Sequence, residues 1–355
     1  MLHAVGAICV LAPALLPSLP SLAVRHEPFV ALEHVNLNAG AQWNAELQRF
    51  WFHILGAADD PRGAQVASET SKAGGSMKGL RWANFGLQQF HLPVGEPDDP
   101  VQRLRGEMAL VYTAEELELL RLRLERAGVP FERLPDGALR SRCPFGNLIR
   151  LEAWPSERAV SWFGPAPTMD PRVERPLPGG ASRGLGLRWV RFDVPRGAAE
   201  PICRFYTQYF GAAAHLDDED GRLACRVPIG YEQRLDFVEQ REGAPPLARY
   251  DGHHIALYVN RFDEIYGRLA ASNLVWNNPR FPQLTYDTLD DARKHNEFRI
   301  LQSTRRGVSN LQLLDGASPA ARCSRSADRV GALPRAVVNP ESGEVVYTLE
   351  HEVEW

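Results

Sequence analysis

The chain contains a short stretch in which polar and apolar residues alternate, followed by a helical pattern. In residues 32–38, His34 and Asn36 lie on one side of an extended chain. Val35 lies on the other side, and this period of two is typical of a half-buried strand. Apolar residues then recur at helical spacing until Gly56, which can end the helix in a left-handed conformation. The stretch predicts a strand with one polar face towards a cavity, followed by a helix.

The same outline of strand, helix and further strands returns three times. The returns begin near residues 106, 186 and 253. The second unit has the clearest helix signal, because Thr113 and Glu116 form a capping box before an apolar stripe. Four βαβββ units therefore follow one another at intervals of about 65 to 80 residues, which constitutes an internal repeat.

Proline-rich and glycine-rich segments divide the chain. Residues 155–184 have linker composition, so we predict an N-terminal domain over 30–154 and a C-terminal domain over 185–355, with two units in each. Residues 303–344 are rich in Arg, Ser, Ala, Gly and Pro, and we interpret them as a long insertion that is either disordered or a lid. Residues 1–29 are predicted to be a leader or a disordered extension.

The N-terminal segment carries no charge between Ala4 and Val24 and ends in small residues at the positions that a signal peptidase reads. Three prolines within it argue against a membrane-spanning helix. Two hypotheses stay open for residues 1–23: a signal or organelle-targeting leader, or a loosely packed extension. Without a leader, the expected location is the cytoplasm.

Composition narrows the classes of function. The 355 residues are 44% hydrophobic and 24% charged, which is typical of a soluble globular protein. A net charge of −4 gives no general attraction for nucleic acid or an anionic membrane. The five cysteines form no CxxC pair, which argues against a zinc finger or a thioredoxin-type site. We expect the partner to be a small molecule. One chain has enough units for two complete sites, so a monomer is sufficient, and an oligomer is an open alternative.

Several short motifs occur in a fixed order: LEHVNL (32–37), FWF (50–52), QQFHLP (88–93), DGHHIA (251–256) and YTLEHE (347–352). Together with the repeated units, they resemble the vicinal oxygen chelate superfamily, which includes glyoxalase I, extradiol dioxygenases, fosfomycin resistance proteins and bleomycin-binding proteins. The resemblance implies an α+β fold in which four βαβββ units pair into two cupped-sheet domains. It also implies a divalent metal in a cup, held by residues from the first and last strands of the units.

The resemblance implies four metal ligands in the N-terminal half: His34, His91, Glu107 and Glu152. We assign Glu152 the role of the carboxylate that moves a proton. The C-terminal half supplies the ligands His254 and Glu350, while Trp189 stands where another ligand is expected. Imidazoles and carboxylates suit Fe, Mn, Ni, Co or Zn and leave positions open for a bidentate oxygen substrate.

The favoured function is that of a divalent-metal-dependent enzyme acting on a small oxygenated molecule, as a glyoxalase-like lyase or isomerase. Two alternatives stay open. One is a non-catalytic module of the same fold that binds a small hydrophobic or aromatic molecule without a metal; separately, His34 could be bonded to neighbouring backbone and Glu107 could be a solvated acid at a strand end. The other is an extradiol-type dioxygenase with an iron site built on His254 and Glu350.

Overall fold

The computed structural model describes residues 27–41, 43–72, 79–95, 101–154, 169–170, 175–176, 182–230, 232–279, 281–305, 308–309 and 345–355. Most of the predicted leader, linker and insertion therefore lies outside the described residues. Within the predicted insertion, residues 303–305 and 308–309 are described and belong to strands.

The four predicted units are present, and each begins with a strand and a helix. The first unit comprises β1 (Phe29–Asn36), α1 (Ala45–Gln48) with a π-helical continuation (Arg49–Ile54), β2 (Ala58–Asp60), α2 (Arg62–Lys72), β3 (Gly79–Phe85) and β4 (Gln88–Val94). The second comprises β5 (Gly106–Tyr112), α3 (Ala114–Ala127), β6 (Phe131–Arg133), β7 (Leu139–Arg142) and β8 (Leu148–Ala153). Two short strands follow, β9 (Met169–Asp170) and β10 (Arg175–Pro176).

The second half repeats this order. The third unit comprises β11 (Gly186–Val194), α4 (Ala199–Phe205) with a π-helical continuation (Tyr206–Phe210), β12 (His215–Glu219), β13 (Arg222–Ile229) and β14 (Gln233–Glu239). The fourth comprises β15 (His254–Val259), α5 (Phe262–Ala271), α6 (Leu289–His295), β16 (Glu297–Arg305), β17 (Val308–Ser309) and β18 (Val345–Glu354).

Two eight-stranded sheets are formed from these units. Their strand orders are β17-β16-β18-β15-β1-β4-β3-β2 and β12-β13-β14-β11-β5-β8-β7-β6. The predicted α+β class, with four units in two cupped sheets, is confirmed. The predicted pairing within each half is wrong, because β1 of the first unit pairs with β15 of the fourth, and β5 of the second pairs with β11 of the third. We call the polar face of the sheet that contains β1 the first cup, and that of the sheet that contains β5 the second cup.

The opposite face of each sheet packs against helices in one continuous apolar cluster. Trp51 and Tyr206, from the helical segments of the first and third units, are buried in it. Gly56 has φ +77°, the left-handed conformation expected at the end of the first helix. Thr113 caps α3 through its hydroxyl, which accepts from the amide of Glu116. The helices thus cover one face of each sheet, and the polar face of each sheet remains available for a binding site.

Two helices, α2 and α6, were not predicted. Both bury only small residues: Gly63, Ala67 and Thr70 in α2, and Ala292 in α6. An amphipathic pattern is recognised by its large apolar residues, so these helices look like polar loops in the sequence. Among the helices that the structure describes, none combines the length and apolar character needed to cross a membrane.

Candidate metal centre

The first cup brings together the ends of four strands from the first and fourth units. Antiparallel pairing sets Asn36 of β1 opposite His254 of β15. On one side, β4 runs parallel to β1 with His91 opposite Asn36. On the other, β18 runs parallel to β15 with Glu352 opposite Ala256. An approximate two-fold relation follows, in which His34 corresponds to His254 and His91 to Glu352.

Three donors converge at the middle of this arrangement. The ligand atoms of His34, His254 and Glu352 all lie within 4.8 Å of one another, and all three residues are buried. Glu352 Oε2 lies 3.8 Å from His34 Nε2 and 3.6 Å from His254 Nε2. Two imidazoles and one carboxylate from three strands are a donor set that first-row divalent metals bind.

A bulge in β1 adds a further carboxylate to the first cup. The register between β1 and β15 shifts between Leu32 and His34, so that Glu33 is the extra residue. In a regular strand Glu33 and His34 would point to opposite faces, and a bulge removes that constraint. The Glu33 carboxylate contacts His34 Nδ1 and also lines the cavity in front of the sheet. It therefore orients the imidazole of His34 through the ring nitrogen that does not face Glu352.

His91 lies in a stack of three rings. Its imidazole is parallel to that of His34 with the ring centroids 3.7 Å apart, and parallel to the Trp82 indole at 4.5 Å. His91 Nε2 lies 2.9 Å from Gln89 Oε1. Glu33, His34 and His91 form the second group of described residues whose ligand atoms lie within 4.8 Å of one another. The structure thus brings His91 to His34 as predicted.

Glu350, the predicted acidic ligand, is close to the three donors but engaged elsewhere. Its Oε1 accepts a hydrogen bond from Arg299 Nη1 at 3.0 Å and another from Asn278 Nδ2 at 3.0 Å. Arg299 Nη2 contacts Glu352 Oε2, and Arg299 Nη1 lies 3.4 Å from His254 Nε2. Glu352, two residues further along β18, is the carboxylate that faces the imidazoles.

Carboxyl groups outnumber guanidinium groups at this face. Three carboxyl groups, those of Glu297, Glu350 and Glu352, contact the buried Arg299 guanidinium, and those of Glu33 and Glu352 lie near Glu354. Burial and the neighbouring charge of Glu352 raise the pKa of Glu297 to about 8. Burial, followed by the charges of Glu33 and Glu352, raises the pKa of Glu354 well above its usual value. These raised pKa values mean that Glu297 and Glu354 hold protons near neutral pH. A bound divalent cation would stabilise the ionised carboxylates in place of those protons, so the donor set and its carboxyl neighbours both fit a metal ion.

A cavity of about 510 Å³ opens in front of these groups, which lies within the size range of small-molecule sites. Its floor includes His91, Arg299 and Glu352, and α2 forms one wall. The segment that contains Phe281 forms another part of the wall, and the Phe281 ring lies 4.8 Å from the Arg299 guanidinium carbon. Apolar side chains contribute part of the lining: Val66, Leu80, Trp82, Phe281 and Leu284.

The structure does not bring Glu107 and Glu152 to His34 and His91. Both acids lie in the second cup, because β5 and β8 belong to the other sheet. Glu152 accepts from Arg150 at 2.5 Å and from Arg188 at 2.7 Å. The grouping of these four residues in one N-terminal cup was therefore wrong.

Arginines engage the other acids of the second cup as well. Glu107 accepts from Arg140 Nε at 2.6 Å. Asp236 contacts two guanidinium groups, those of Arg226 and Arg234. Trp189 stands at the position where the resemblance implies a further ligand. Its ring centroid lies 5.5 Å from the Arg234 guanidinium carbon. In the part of the chain that the structure describes, the second cup presents carboxylates already paired with arginine.

Sequence reasoning missed Glu352, Glu33 and Arg299. A signal existed for two of them, because strand alternation places Glu352 on the same face as Glu350, and Arg299 on the same face as Glu297. Glu33 had no such signal, since alternation assigns it to the face opposite His34. Only the register shift in β1 reveals its position.

No protein-family model matches the chain, and no curated protein sequence matches it. A protein of Bacillus subtilis subsp. subtilis str. 168, provisionally described as a dioxygenase, is 12% identical, with 80% of this chain and 84% of that chain covered and a TM-score of 0.46. Glyoxalase I from Zea mays is 11% identical, with 78% and 90% covered and a TM-score of 0.46.

A mutant of the fosfomycin resistance protein FosX from Listeria monocytogenes is 17% identical, with 37% of this chain and 98% of that chain covered and a TM-score of 0.27. At such identities and TM-scores, no family, site residue or activity is carried over from these structures. The resemblance to the vicinal oxygen chelate superfamily therefore rests on the sequence motifs and the four repeated units.

Proposed function

We propose that the chain is a divalent-metal enzyme whose catalytic centre is the first cup. The observation that carries this proposal is the convergence of the ligand atoms of His34, His254 and Glu352 within 4.8 Å of one another, where Glu352 also lines a cavity. These three residues would hold the cation. When bound, it supplies Lewis-acid polarisation of substrate oxygens and, if it is iron, the redox chemistry of an oxygenase.

The substrate that suits this site is a small molecule with adjacent oxygen atoms. The cavity of about 510 Å³ accommodates a compact ligand. Trp82 and Phe281 would pack against its apolar part and exclude water, while its oxygens would face the imidazoles. Glu33 lines the same cavity beside His34, where its carboxylate can hold a proton released by the substrate.

The donor set supports oxygenase chemistry best. Two histidines and one carboxylate with further positions open are the set used by non-haem Fe(II) oxygenases. The preference for a lyase or isomerase rested on two acids that belong to the second cup. We therefore propose ring cleavage of a catechol by O2, in which both oxygen atoms enter the ring-opened product.

A glyoxalase-like isomerase or lyase is the second candidate. Glu33 and Glu297 both line the cavity close to the three donors. Two carboxyl groups in such positions can remove a proton from one carbon and return it to another. This candidate requires no oxygen, which separates it from the first.

Metal content tests the site. Wild-type protein, His254→Gln and Glu152→Gln are purified from iron-supplemented and manganese-supplemented cultures and analysed by elemental mass spectrometry. We expect about one equivalent of metal in the wild type and in Glu152→Gln, and loss of metal in His254→Gln. A metal-free wild type after reconstitution would refute the proposal and favour the binding module, in which Arg299 alone neutralises the acids.

Activity then separates the two reactions. The reconstituted protein is incubated with catechols in an oxygen electrode, and separately with methylglyoxal and glutathione without oxygen. Oxygen uptake that is absent from His254→Gln supports the oxygenase. Turnover of the hemithioacetal without oxygen uptake would instead identify the isomerase or lyase.

A further inference from the structure

Arg299 bridges the two acids of β18 that face the first cup. Its side chain is 5% exposed, and its Nη1 donates to Glu350 Oε1 at 3.0 Å. Its Nη2 contacts Glu352 Oε2. Residues two apart on a strand point to the same face, so one guanidinium holds both carboxylates at once.

The two acids are not equivalent despite their common face. Glu352 Oε2 lies 3.8 Å from His34 Nε2 and 3.6 Å from His254 Nε2. Glu350 Oε1 has a second donor, since Asn278 Nδ2 lies at 3.0 Å from the same oxygen. Glu350 is thereby held by two donors, and its backbone amide lies 3.2 Å from the hydroxyl of Tyr250.

The geometry of a guanidinium group explains how Arg299 can hold the two acids in different positions. Its donors form a rigid planar fork, so the two carboxylates that it binds are held at a fixed separation and orientation. The position of Arg299 is itself constrained, because the Phe281 ring lies 4.8 Å from its guanidinium carbon and Glu297 Oε1 lies 3.7 Å from its Nε. A lysine at this position would be a point charge without the fork.

We propose that Arg299 is a positioning residue that presents Glu352 to His34 and His254 and keeps Glu350 outside the ligand set. This inference rests on the proposed metal function. Arg299 determines which of two same-face acids completes the metal site, and thereby which coordination positions stay open for substrate. When the guanidinium fork of Arg299 is removed, either acid can turn towards the imidazoles. The metal is then no longer held in one defined coordination geometry.

Cobalt(II) tests this role, because its visible absorption reports the number and kind of its ligands independently of turnover. Metal-free wild type, Arg299→Gln and Arg299→Lys are titrated with Co(II), with Arg150→Gln as the matched control in the second cup. We expect Arg299→Gln to bind Co(II) 10-fold to 100-fold more weakly and with altered absorption bands. Arg299→Lys should recover part of the affinity but not the wild-type bands, while Arg150→Gln should match the wild type.

Two further variants decide the assignment if Arg299→Gln fails to fold. Glu350→Gln should keep the wild-type Co(II) bands, whereas Glu352→Gln should change them and weaken binding. The inference is overturned if Arg299→Gln binds Co(II) with wild-type bands and affinity, or if Glu350→Gln changes the bands and Glu352→Gln does not. A wild-type protein that binds no Co(II), Fe(II), Mn(II), Ni(II) or Zn(II) refutes the proposed function itself, which is a different outcome.

Discussion

The substitution Asp60→Asn tests how the wall of the candidate site is held in place. The Asp60 side chain is fully buried at the end of β2. Its Oδ1 accepts from the amide of Arg62 at 3.0 Å and from Arg62 Nε at 2.9 Å, while its Oδ2 accepts from Asn84 Nδ2 at 3.0 Å. Because Arg62 begins α2, this one carboxylate joins the wall helix to β3.

We expect Asp60→Asn to lower the free energy of unfolding at pH 7 by about 2–3 kcal/mol. Hydrogen bonds to charged groups contribute about 1.5–3 kcal/mol each, and the amide retains part of them. The matched control is Asp59→Asn, the neighbouring residue, which pairs with Arg81 at 3.3 Å with both side chains 45% exposed. Such an exposed pair contributes less than about 1 kcal/mol.

The effect of Asp60→Asn should depend on pH. Burial alone would raise the pKa of Asp60, but hydrogen bonds from Arg62 and Asn84 lower it below its usual value. A lowered pKa means stabilisation that is present above the unfolded value of about 4 and lost as the pH falls through the folded value. Urea unfolding of the wild type and the variant should therefore differ most near neutrality and converge in acid. A constant difference, or an equal loss in Asp59→Asn, would refute this reasoning.

Three further predictions concern the second cup and the metal. A Cβ atom on Gly106 would lie 1.8 Å from the carbonyl oxygen of Arg191, so Gly106→Ala should lower the free energy of unfolding by about 3 kcal/mol or more. Gly128→Ala meets open space and should lower it by only about 1 kcal/mol; urea denaturation measures both. Glu152→Ala leaves two arginines without their shared carboxylate and should lower the free energy of unfolding by roughly 3 kcal/mol, with metal content unchanged by mass spectrometry. EDTA should lower the melting temperature of the wild type, because a metal at 100 times its Kd adds about 2.7 kcal/mol, and His254→Gln should show no response.

Much of the fold was predictable because its signals are local. Alternation and helical spacing identified the first strand and the helix of each unit. The left-handed glycine at residue 56 and the capped helix α3 are set by neighbouring residues alone. Local patterns did not reveal which units share a sheet, because the first strands of all four units alternate in the same way. Pairing with either partner unit would bury the same apolar face of the strand.

The error in pairing carried over to the site. His34, His91 and His254 were identified by their strands, yet they were divided between two cups. The choice between Glu350 and Glu352 depends on the position of Arg299, which a β-strand pattern does not contain. Glu33 reached the site through a register shift whose cause is the pairing of β1 with β15. Each of these misses reflects contacts between residues far apart in the chain.

The two cups differ in how their charges are compensated, and this difference depends on unit pairing. In the second cup, Glu107 and Glu152 accept from arginines that the second and third units supply. In the first cup, the described carboxyl groups outnumber the guanidinium groups, and two imidazoles lie beside them. If the first unit had paired with the second, His34 and His91 would face Glu107 and Glu152. Arginines already neutralise both of these acids. The pairing of the first unit with the fourth therefore brings the imidazoles to a face where carboxyl groups outnumber guanidinium groups and a divalent cation can bind.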